Sequence, residues 1–490
     1  MKIRSLKFNA LISGIQKLLS IIFPLITFPY ITRVLQVETI GKINFSNSIV
    51  SYFILLAGLG INNYAIREGA AIRNDRKKIE KFASEIFSIN LISTIIAYFL
   101  LIILYFFWNK LDDYLYLLII QSITIIGNTI GINWLFSIYE NYLYITIRTF
   151  IFQLISMILM FVFVKNPNDY YIYTLITVLS NVGANIFNLF YAKKFLKLRL
   201  TTKMNLKKHL KPIIIIFSST IAITVYVNSD ITILGWLSND YTVGIYSVSV
   251  KVYSIIKQII SAMIVVALPG MSKLLQDGKT EEYHEKTNNF FNILFLLALP
   301  CTIGLYCLAP YIIKFIAGNE FLQATDSLKI LSFSIIFSIF SSFVTYVMLL
   351  PAKNEKIHLI ATFFSALENI ALNFMLIPVF KEKAAALTTL LAEASVFIIG
   401  YIGFNKKNKK IAKNLLKISS RNFLSGLIEC ICILILSSVI KLLQLNYIIK
   451  MFLIILFALL IYLLISIIVK NDLSIYIFKF LQNENKLKHK

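Results

Sequence analysis

The chain has 490 residues, of which 58% are hydrophobic and only 15% are charged, and its mean hydropathy is +0.77. A soluble domain is about 45–50% apolar and about 25% charged, so this composition excludes an ordinary soluble fold and indicates an integral membrane protein. The net charge of +24 raises the question of nucleic-acid binding, which the placement of the charges answers below.

Fourteen apolar runs follow one another along the chain, each long enough for the ~20-residue helix that spans a bilayer. They are centred near residues 20, 53, 96, 125, 155, 181, 224, 256, 303, 339, 368, 394, 433 and 459. The first run follows three basic residues, as in a signal peptide, but it is long, contains two prolines and has no small-residue cleavage site. We therefore predict an all-α integral membrane protein with about 14 transmembrane helices.

Lysine and arginine concentrate in particular segments between the runs. The basic clusters cover residues 67–81, 193–211 and 406–421 and the tail from residue 470. This is the positive-inside pattern, which predicts that both termini and these clusters face the cytoplasm from a plasma (inner) membrane. Some of the clusters are also expected to contact anionic lipid headgroups. Orientation and lipid contact account for the charge, so no nucleic-acid partner is predicted.

The sequence features of enzymes and metal proteins are missing. The four cysteines fall within apolar runs, and the four histidines are scattered without the spacing of a metal site. The nucleotide-binding pattern GxxxxGK[ST] is absent, and the segments between runs are too short for a soluble catalytic domain. We therefore expect no enzyme, no cofactor and no metal.

A weak repeat relates the two halves of the chain. Residues 39–51, at the start of the second run, resemble residues 242–254, at the start of the eighth, and the alignment pairs Gly41 with Gly244. Six runs separate the two segments, so both cross the membrane in the same direction. Parallel repeats of this kind predict two lobes with the substrate held between them.

The repeat also predicts the domain boundaries. An N-terminal six-helix lobe covers residues 1–200, a C-terminal six-helix lobe covers 201–405, and two additional helices with a basic tail cover 406–490. The basic segment 193–211 joins the two lobes. We expect it to lie along the membrane interface as an amphipathic segment.

Charged side chains within the runs give the strongest indication of function. They include Lys17 in the first run, Asp230 in the seventh, and Lys251 and Lys257 in the eighth. A charge at the centre of a membrane helix costs about 2.5–3.5 kcal/mol or more, so it normally faces a bundle interior or a wet cavity. We expect the lysines to line a cavity for an anion; the alternative is a structural ion pair with Asp230.

Uncharged polar residues share helical faces with these charges and complete the predicted substrate contacts. They are Gln16, Asn44, Ser48, Ser247 and Gln258. The alternative for small polar residues is tight helix packing in lipid.

Carboxylates near the C-terminal end of the second half are candidates for proton coupling. Glu368 and Glu393 lie in the eleventh and twelfth runs, in surroundings that look more apolar than those of Asp230. Their alternative is a contact with lipid headgroups. Arg67, Glu85 and Arg148 lie at the ends of runs and are predicted to be interface anchors.

Four blocks of sequence resemble a known family. They are Phe28-Pro-Tyr-Ile-Thr-Arg-Val-Leu35, Trp134-Leu-Phe through Glu140, Val243-Gly-Ile-Tyr-Ser247 with Asp230 and Lys251, and Asn369 to Asn373 with Leu376-Ile-Pro378. Together they resemble the Wzx-type polysaccharide flippases, the O-antigen and capsule repeat-unit translocators of the multidrug/oligosaccharidyl-lipid/polysaccharide superfamily. The resemblance runs from about residue 5 to 405. Gln36, and either Lys383 or Ala384, depart from it at positions where the family often has glycine.

The resemblance implies a substrate and a mechanism. The substrate is an oligosaccharide on a polyprenyl pyrophosphate, moved by alternating access between the lobes, and the partners are membrane lipids, a polysaccharide polymerase and assembly proteins. Two alternatives share the fold: a multidrug/cation exporter, which favours an acidic cavity, and a peptidoglycan-precursor flippase. A membrane polysaccharide polymerase is the alternative from another class, although it needs larger external loops than this sequence has.

Overall fold

The structure, a computed structural model, describes residues 6–408 and 420–469. Within these ranges, thirteen helical stretches are long and apolar enough to cross a membrane. They contain all fourteen predicted runs, because the runs near residues 368 and 394 share the stretch Glu355–Lys407. Lys381 has a non-helical backbone (φ 51°, ψ −126°) and divides that stretch in two. The predicted all-α membrane fold is confirmed.

The chain divides into two compact units, Met1–Gly244 and Ile245–Lys490. The helices of the first unit are α1 (Leu6–Val34), α2 (Val37–Gly58), α3 (Ile61–Ile72), α4 (Arg76–Phe107), α5 (Leu115–Gly131), α6 (Asn133–Ile138), α7 (Tyr142–Phe163), α8 (Tyr170–Val182), α9 (Ile186–Ala192) and α10 (Leu206–Leu237). The next helix, α11 (Asp240–Val265), begins at the end of this unit.

The second unit continues α11 and adds six helices. They are α12 (Leu268–Gln276), α13 (Thr280–Ala317), α14 (Ala324–Phe343), α15 (Glu355–Lys407), α16 (Ser420–Leu442) and α17 (Tyr447–Val469). The basic tail from residue 470 and most of the cluster 406–421 lie outside the described residues.

Local sequence explains where several helices begin and end. Asp75 caps α4, because its Oδ1 accepts a hydrogen bond from the backbone N–H of Lys78 at 3.1 Å. Asn205 caps α10 in the same way, accepting from Lys208 at 3.2 Å. Such side chains satisfy N–H groups that have no partner within the helix. Each cap therefore fixes the first residue of a helix within a polar segment between apolar runs.

The division between the units falls after α10, whereas the predicted lobes meet at residue 200. The reason is that α10 packs against α2 and α3. The lobe boundary itself stays a prediction.

Two glycines allow α2 to lie close to the start of α11. A Cβ on Gly41 would overlap the backbone carbonyl of Asp240, and one on Gly244 would overlap the carbonyl of Val37. The repeat pairs these same two glycines, so equivalent positions of the two halves lie side by side where α2 meets the start of α11. Only residues without a side chain permit helix backbones to come this close.

Gly41→Ala is expected to destabilise the protein by about 1–3 kcal/mol, because the added methyl group meets backbone rather than a movable side chain. The measurement is the apparent melting temperature in detergent. Gly58→Ala is the matched control on the same helix, since no atom lies within 4 Å of the added Cβ. Equal losses of stability in the two variants would contradict the close contact.

The segment between α9 and α10 is not helical, and it is fixed to α4; its place at the membrane interface stays a prediction. Three of its backbone N–H groups donate to side chains of α4: Lys197 to Glu80 at 3.3 Å, Arg199 to Ser84 at 3.2 Å and Thr201 to Ser88 at 3.0 Å. Two extended residues advance about 6.6 Å and four helical residues about 6.0 Å, so the two spacings match. The segment therefore lies parallel to α4.

A buried histidine completes this attachment. His209 Nε2 lies 2.7 Å from Glu85 Oε2, and His209 Nδ1 shares a 2.7 Å hydrogen bond with Tyr64 Oη. All three side chains are buried. The prediction that Glu85 is an interface anchor is therefore wrong: its carboxylate joins α4 to the start of α10 inside the unit.

Candidate functional site

In the second unit, α11 presents one stripe of side chains to α15. The stripe contains Tyr246, Tyr253 and Lys257. At 100° per residue, the second and third of these lie within about 20° of the first around the helix axis. Tyr246 Oη contacts Thr389 Oγ1 at 3.1 Å, and Tyr253 Oη donates to Glu393 Oε1 at 3.2 Å. Two tyrosines two turns apart on α11 therefore meet residues one turn apart on α15.

The stripe ends in an ion pair. Lys257 Nζ pairs with Glu393 Oε1, and Ser341 Oγ on α14 donates to the other carboxylate oxygen at 3.4 Å. The Glu393 side chain is 4% exposed and that of Lys257 is 31% exposed. The carboxylate is thus enclosed, while the ammonium lies at the edge of the contact.

Two expectations about these residues are wrong. Lys257 was expected to line a cavity for an anion, with Asp230 as its partner in the alternative of an ion pair, whereas it pairs with Glu393. Glu393 was expected to have apolar surroundings, yet it lies against an ammonium, and it is too buried to meet headgroups. Tyr253 was not predicted, although its place four residues before Lys257, on the same helix face, was a usable signal.

Lys251 lies on a different face of α11. Lys251 is about 140° around the helix from the stripe that meets α15. Ser247 and Gln258 are about 100° and 120° from the same stripe, so they lie on the side of Lys251. Lys251 is half-buried and has no ion-pair partner among the described residues. Ser247 is buried, and its Oγ has no hydrogen-bond partner in that same part of the chain. This face therefore combines an unneutralised cation with one buried hydroxyl that has unused bonding capacity.

In the first unit, Ser48 lies in a small polar cluster between α2 and α10. Thr232 Oγ1 is 2.9 Å from Ser48 Oγ and 3.0 Å from Tyr52 Oη. Asp230 is buried two residues earlier on α10, and Asn44 donates to the carbonyl of Ile40 on its own helix. The structure thus brings Ser48 close to the Asp230 segment, through two residues that the sequence analysis had missed.

The remaining predicted site residues make no hydrogen bond or ion pair, among the described residues, with the α11–α15 stripe or with the polar cluster of Ser48. Gln16 and Glu368 are half-buried, and Gln258 is exposed. The side chain of Lys17 lies outside the described residues. These positions stay predictions.

A cavity of about 920 Å³ lies in the first unit, where the turn from α6 to α7 meets α7, α9 and the residues after α3. Its aromatic walls are formed by Tyr139, Tyr144, Phe152, Phe187, Tyr191 and Phe195. Its charged side chains are Arg73, Glu140, Arg148 and Lys194. Small-molecule sites commonly have about 300–1,000 Å³ and a mostly apolar lining with a few polar groups. The sequence analysis did not predict this site.

Arg148 is the buried charge of the cavity, although the sequence predicted an interface anchor. The residue is only 9% exposed, and its Nη2 donates to Asn133 Oδ1 at 2.9 Å. Glu140, at the turn, has the left-handed φ of 54°, which is strained for a residue with a side chain. It accepts from Arg73 Nη1 at 2.8 Å and from Asn9 Nδ2 at 3.2 Å, and both bonds hold the turn.

The chain is similar to known proteins over most of its length. A protein of Staphylococcus aureus named "Capsular polysaccharide biosynthesis protein CapF" is 25% identical over 389 residues, which cover 77% of this chain and 93% of that protein. A protein of Escherichia coli (strain K12) named "Putative O-antigen transporter" is 25% identical over 405 residues, which cover 80% of this chain and 95% of that protein.

Solved structures share the fold. The lipid II flippase MurJ in an inward closed conformation has a TM-score of 0.73 and 18% identity, covering 95% of this chain and 99% of that one. An inward-facing multidrug resistance transporter of the MATE family has a TM-score of 0.60 and 12% identity, covering 81% and 96%.

A family profile described as "Polysaccharide biosynthesis protein" matches residues 6–275, more than half of the chain. The match spans three of the four blocks on which the resemblance to Wzx-type flippases was based. Together with the relatives and the shared fold, it confirms that resemblance. The chain therefore belongs to the polysaccharide biosynthesis protein family.

Proposed function

We propose that the protein is a flippase that moves a polyprenyl-pyrophosphate-linked oligosaccharide repeat unit from the cytoplasmic to the outer leaflet. The relatives named for an O-antigen and for capsular polysaccharide support this class of substrate. The proposed mechanism is alternating access between two lobes, in the plasma (inner) membrane, with both termini cytoplasmic. A polymerase and assembly proteins would use the flipped product, and no catalytic step is proposed for this chain.

The observation that carries the proposal is the polar face of α11. Lys251 is a half-buried ammonium with no ion-pair partner among the described residues, beside the unused hydroxyl of Ser247. A cation in a low-dielectric site favours an anion such as a diphosphate, and hydroxyl and amide groups suit sugar hydroxyls. An exporter of cationic drugs needs the opposite charge, and the buried carboxylate of Glu393 is neutralised by Lys257.

The test is flipping by the purified protein in liposomes. A fluorescent undecaprenyl-diphosphate oligosaccharide should become accessible to a membrane-impermeant quencher at least tenfold faster than in protein-free liposomes, without added nucleotide. A cationic dye loaded in the same liposomes should not be transported. Dye transport without flipping would assign the exporter function instead and contradict the proposal.

A further inference from the structure

We propose that the 920 Å³ cavity of the first unit is a binding site for the phosphorylated headgroup of a lipid, with Arg148 as its central anion-binding group. The assignment deepens the proposed flippase function and rests on it for the choice of a prenyl diphosphate as the ligand. Every lining residue belongs to the first unit, whereas Lys251 belongs to the second.

The first argument is the state of the Arg148 guanidinium. Its Nη2 bonds to Asn133, whereas Nε and Nη1 are buried and have no hydrogen-bond partner among the described residues. The ring of Tyr144 lies 5.6 Å from Cζ, and no carboxylate in that part of the chain pairs with the guanidinium. A buried cation without a counterion is costly, and phosphate oxygens match the planar guanidinium fork.

The second argument is the charge of the lining. Three of the charged side chains are cations and one is a carboxylate. That carboxylate, Glu140, is already paired with Arg73. Arg148 and Lys194 therefore remain without a carboxylate partner among the described residues, and Lys194 lies over the ring of Tyr191 at 5.0 Å. Two available cations suit a ligand with two negative charges.

The third argument separates a lipid from a free phosphate. Ile147, Ile151 and Phe187 line the cavity and are also exposed on the outside of the unit. They offer an apolar path along α7 and α9 for a hydrocarbon chain. Tyr144 and Tyr191 are stacked with centroids 4.0 Å apart, and this aromatic wall suits packing against the first sugar ring. An inorganic anion would use neither surface.

Arg67 provides a matched comparison, since Arg67 and Arg148 were both predicted to be interface anchors. The Arg67 side chain is 62% exposed and pairs with Glu68 at 3.1 Å. It does not line the cavity. Loss of charge at Arg67 therefore controls for a general effect of removing one arginine from the first unit.

The experiment measures binding of farnesyl diphosphate to the full-length protein in detergent by isothermal titration calorimetry. Arg148→Gln should weaken binding at least tenfold, and Lys194→Gln, at an exposed position, should weaken it about threefold. Arg148→Lys should retain more affinity than Arg148→Gln, and Arg67→Gln should bind within twofold of the unchanged protein. Melting temperatures establish that each variant is folded. If Arg148→Gln does not fold, the affinity of Lys194→Gln for farnesyl diphosphate tests the proposal instead.

Parallel titrations with phosphatidylglycerol and inorganic pyrophosphate distinguish the sources of the phosphate group. A tenfold loss confined to farnesyl diphosphate supports a prenyl diphosphate site, whereas an equal loss for phosphatidylglycerol supports a general phospholipid headgroup site. Equal binding of pyrophosphate and farnesyl diphosphate, or no change in Arg148→Gln and Lys194→Gln, would overturn the proposal. Because binding is measured without transport, absence of flipping in liposomes would refute the flippase function and leave this result standing.

Discussion

Replacing Lys251 with alanine is expected to lower the flipping rate at least tenfold while the protein remains folded in the membrane. Lys251 makes no ion pair with any described residue, so its loss leaves no buried carboxylate without a partner. The substitution removes a cation on the same helix face as Ser247 and Gln258. A tenfold change in rate corresponds to about 1.4 kcal/mol of lost transition-state stabilisation. Lys251→Arg should retain more activity, because the positive charge remains.

The measurement is the initial rate of quencher accessibility in liposomes, normalised to the amount of reconstituted protein. Lys286→Ala is the control: Lys286 forms an exposed ion pair with Glu282 four residues earlier, and such pairs contribute about 0.3–0.5 kcal/mol. Its flipping rate should be unchanged. Loss of Lys251→Ala from the membrane, with recovery in the double variant with Asp230→Ala, would show a structural ion pair instead.

The membrane helices could be predicted from sequence because the bilayer requires only length and apolar composition, which each run carries by itself. Residues 355–407 show the limit of that signal. Two runs were predicted there, and the structure divides the stretch at Lys381 through one left-handed residue. The centres of the two runs place the division near residue 381, but hydropathy contains no information about a φ angle, so the backbone conformation of Lys381 could not be predicted.

Which charged residues pair with one another could not be predicted, because pairing depends on how helices pack and not on the sequence of one helix. The sequence identified Lys257 and Glu393 as unusual, but it assigned them to different roles. Their pairing depends on which stripe of α11 meets α15, and that is set by the packing of Tyr246 and Tyr253. Arg67 and Arg148 show the same limit: both lie near helix ends, and only the fold exposes one and encloses the other.

The pairing also changes which carboxylate is the stronger candidate for proton coupling. Uptake of a proton by Glu393 would break its ion pair with Lys257 and leave the ammonium without that partner. Glu368 is half-buried, and no ion pair engages it among the described residues. We therefore propose that any effect of a pH gradient on flipping depends on Glu368 before Glu393.

Removing the ammonium of the Lys257–Glu393 pair is expected to destabilise the protein far more than removing the carboxylate. Lys257→Met leaves the Glu393 side chain, 4% exposed, without its counterion, which should cost about 3–5 kcal/mol. Glu393→Gln should cost less, because the Lys257 side chain is 31% exposed and its flexible stem can carry the ammonium toward water. The double variant Lys257→Met with Glu393→Leu should recover most of the loss, since apolar replacement of a buried pair is often neutral.

Melting temperatures of the three variants in detergent measure this order, with Lys286→Ala again as the control. Equal losses in the two single variants would contradict the predicted order. Simple addition of the losses in the double variant would show that the two side chains do not stabilise each other.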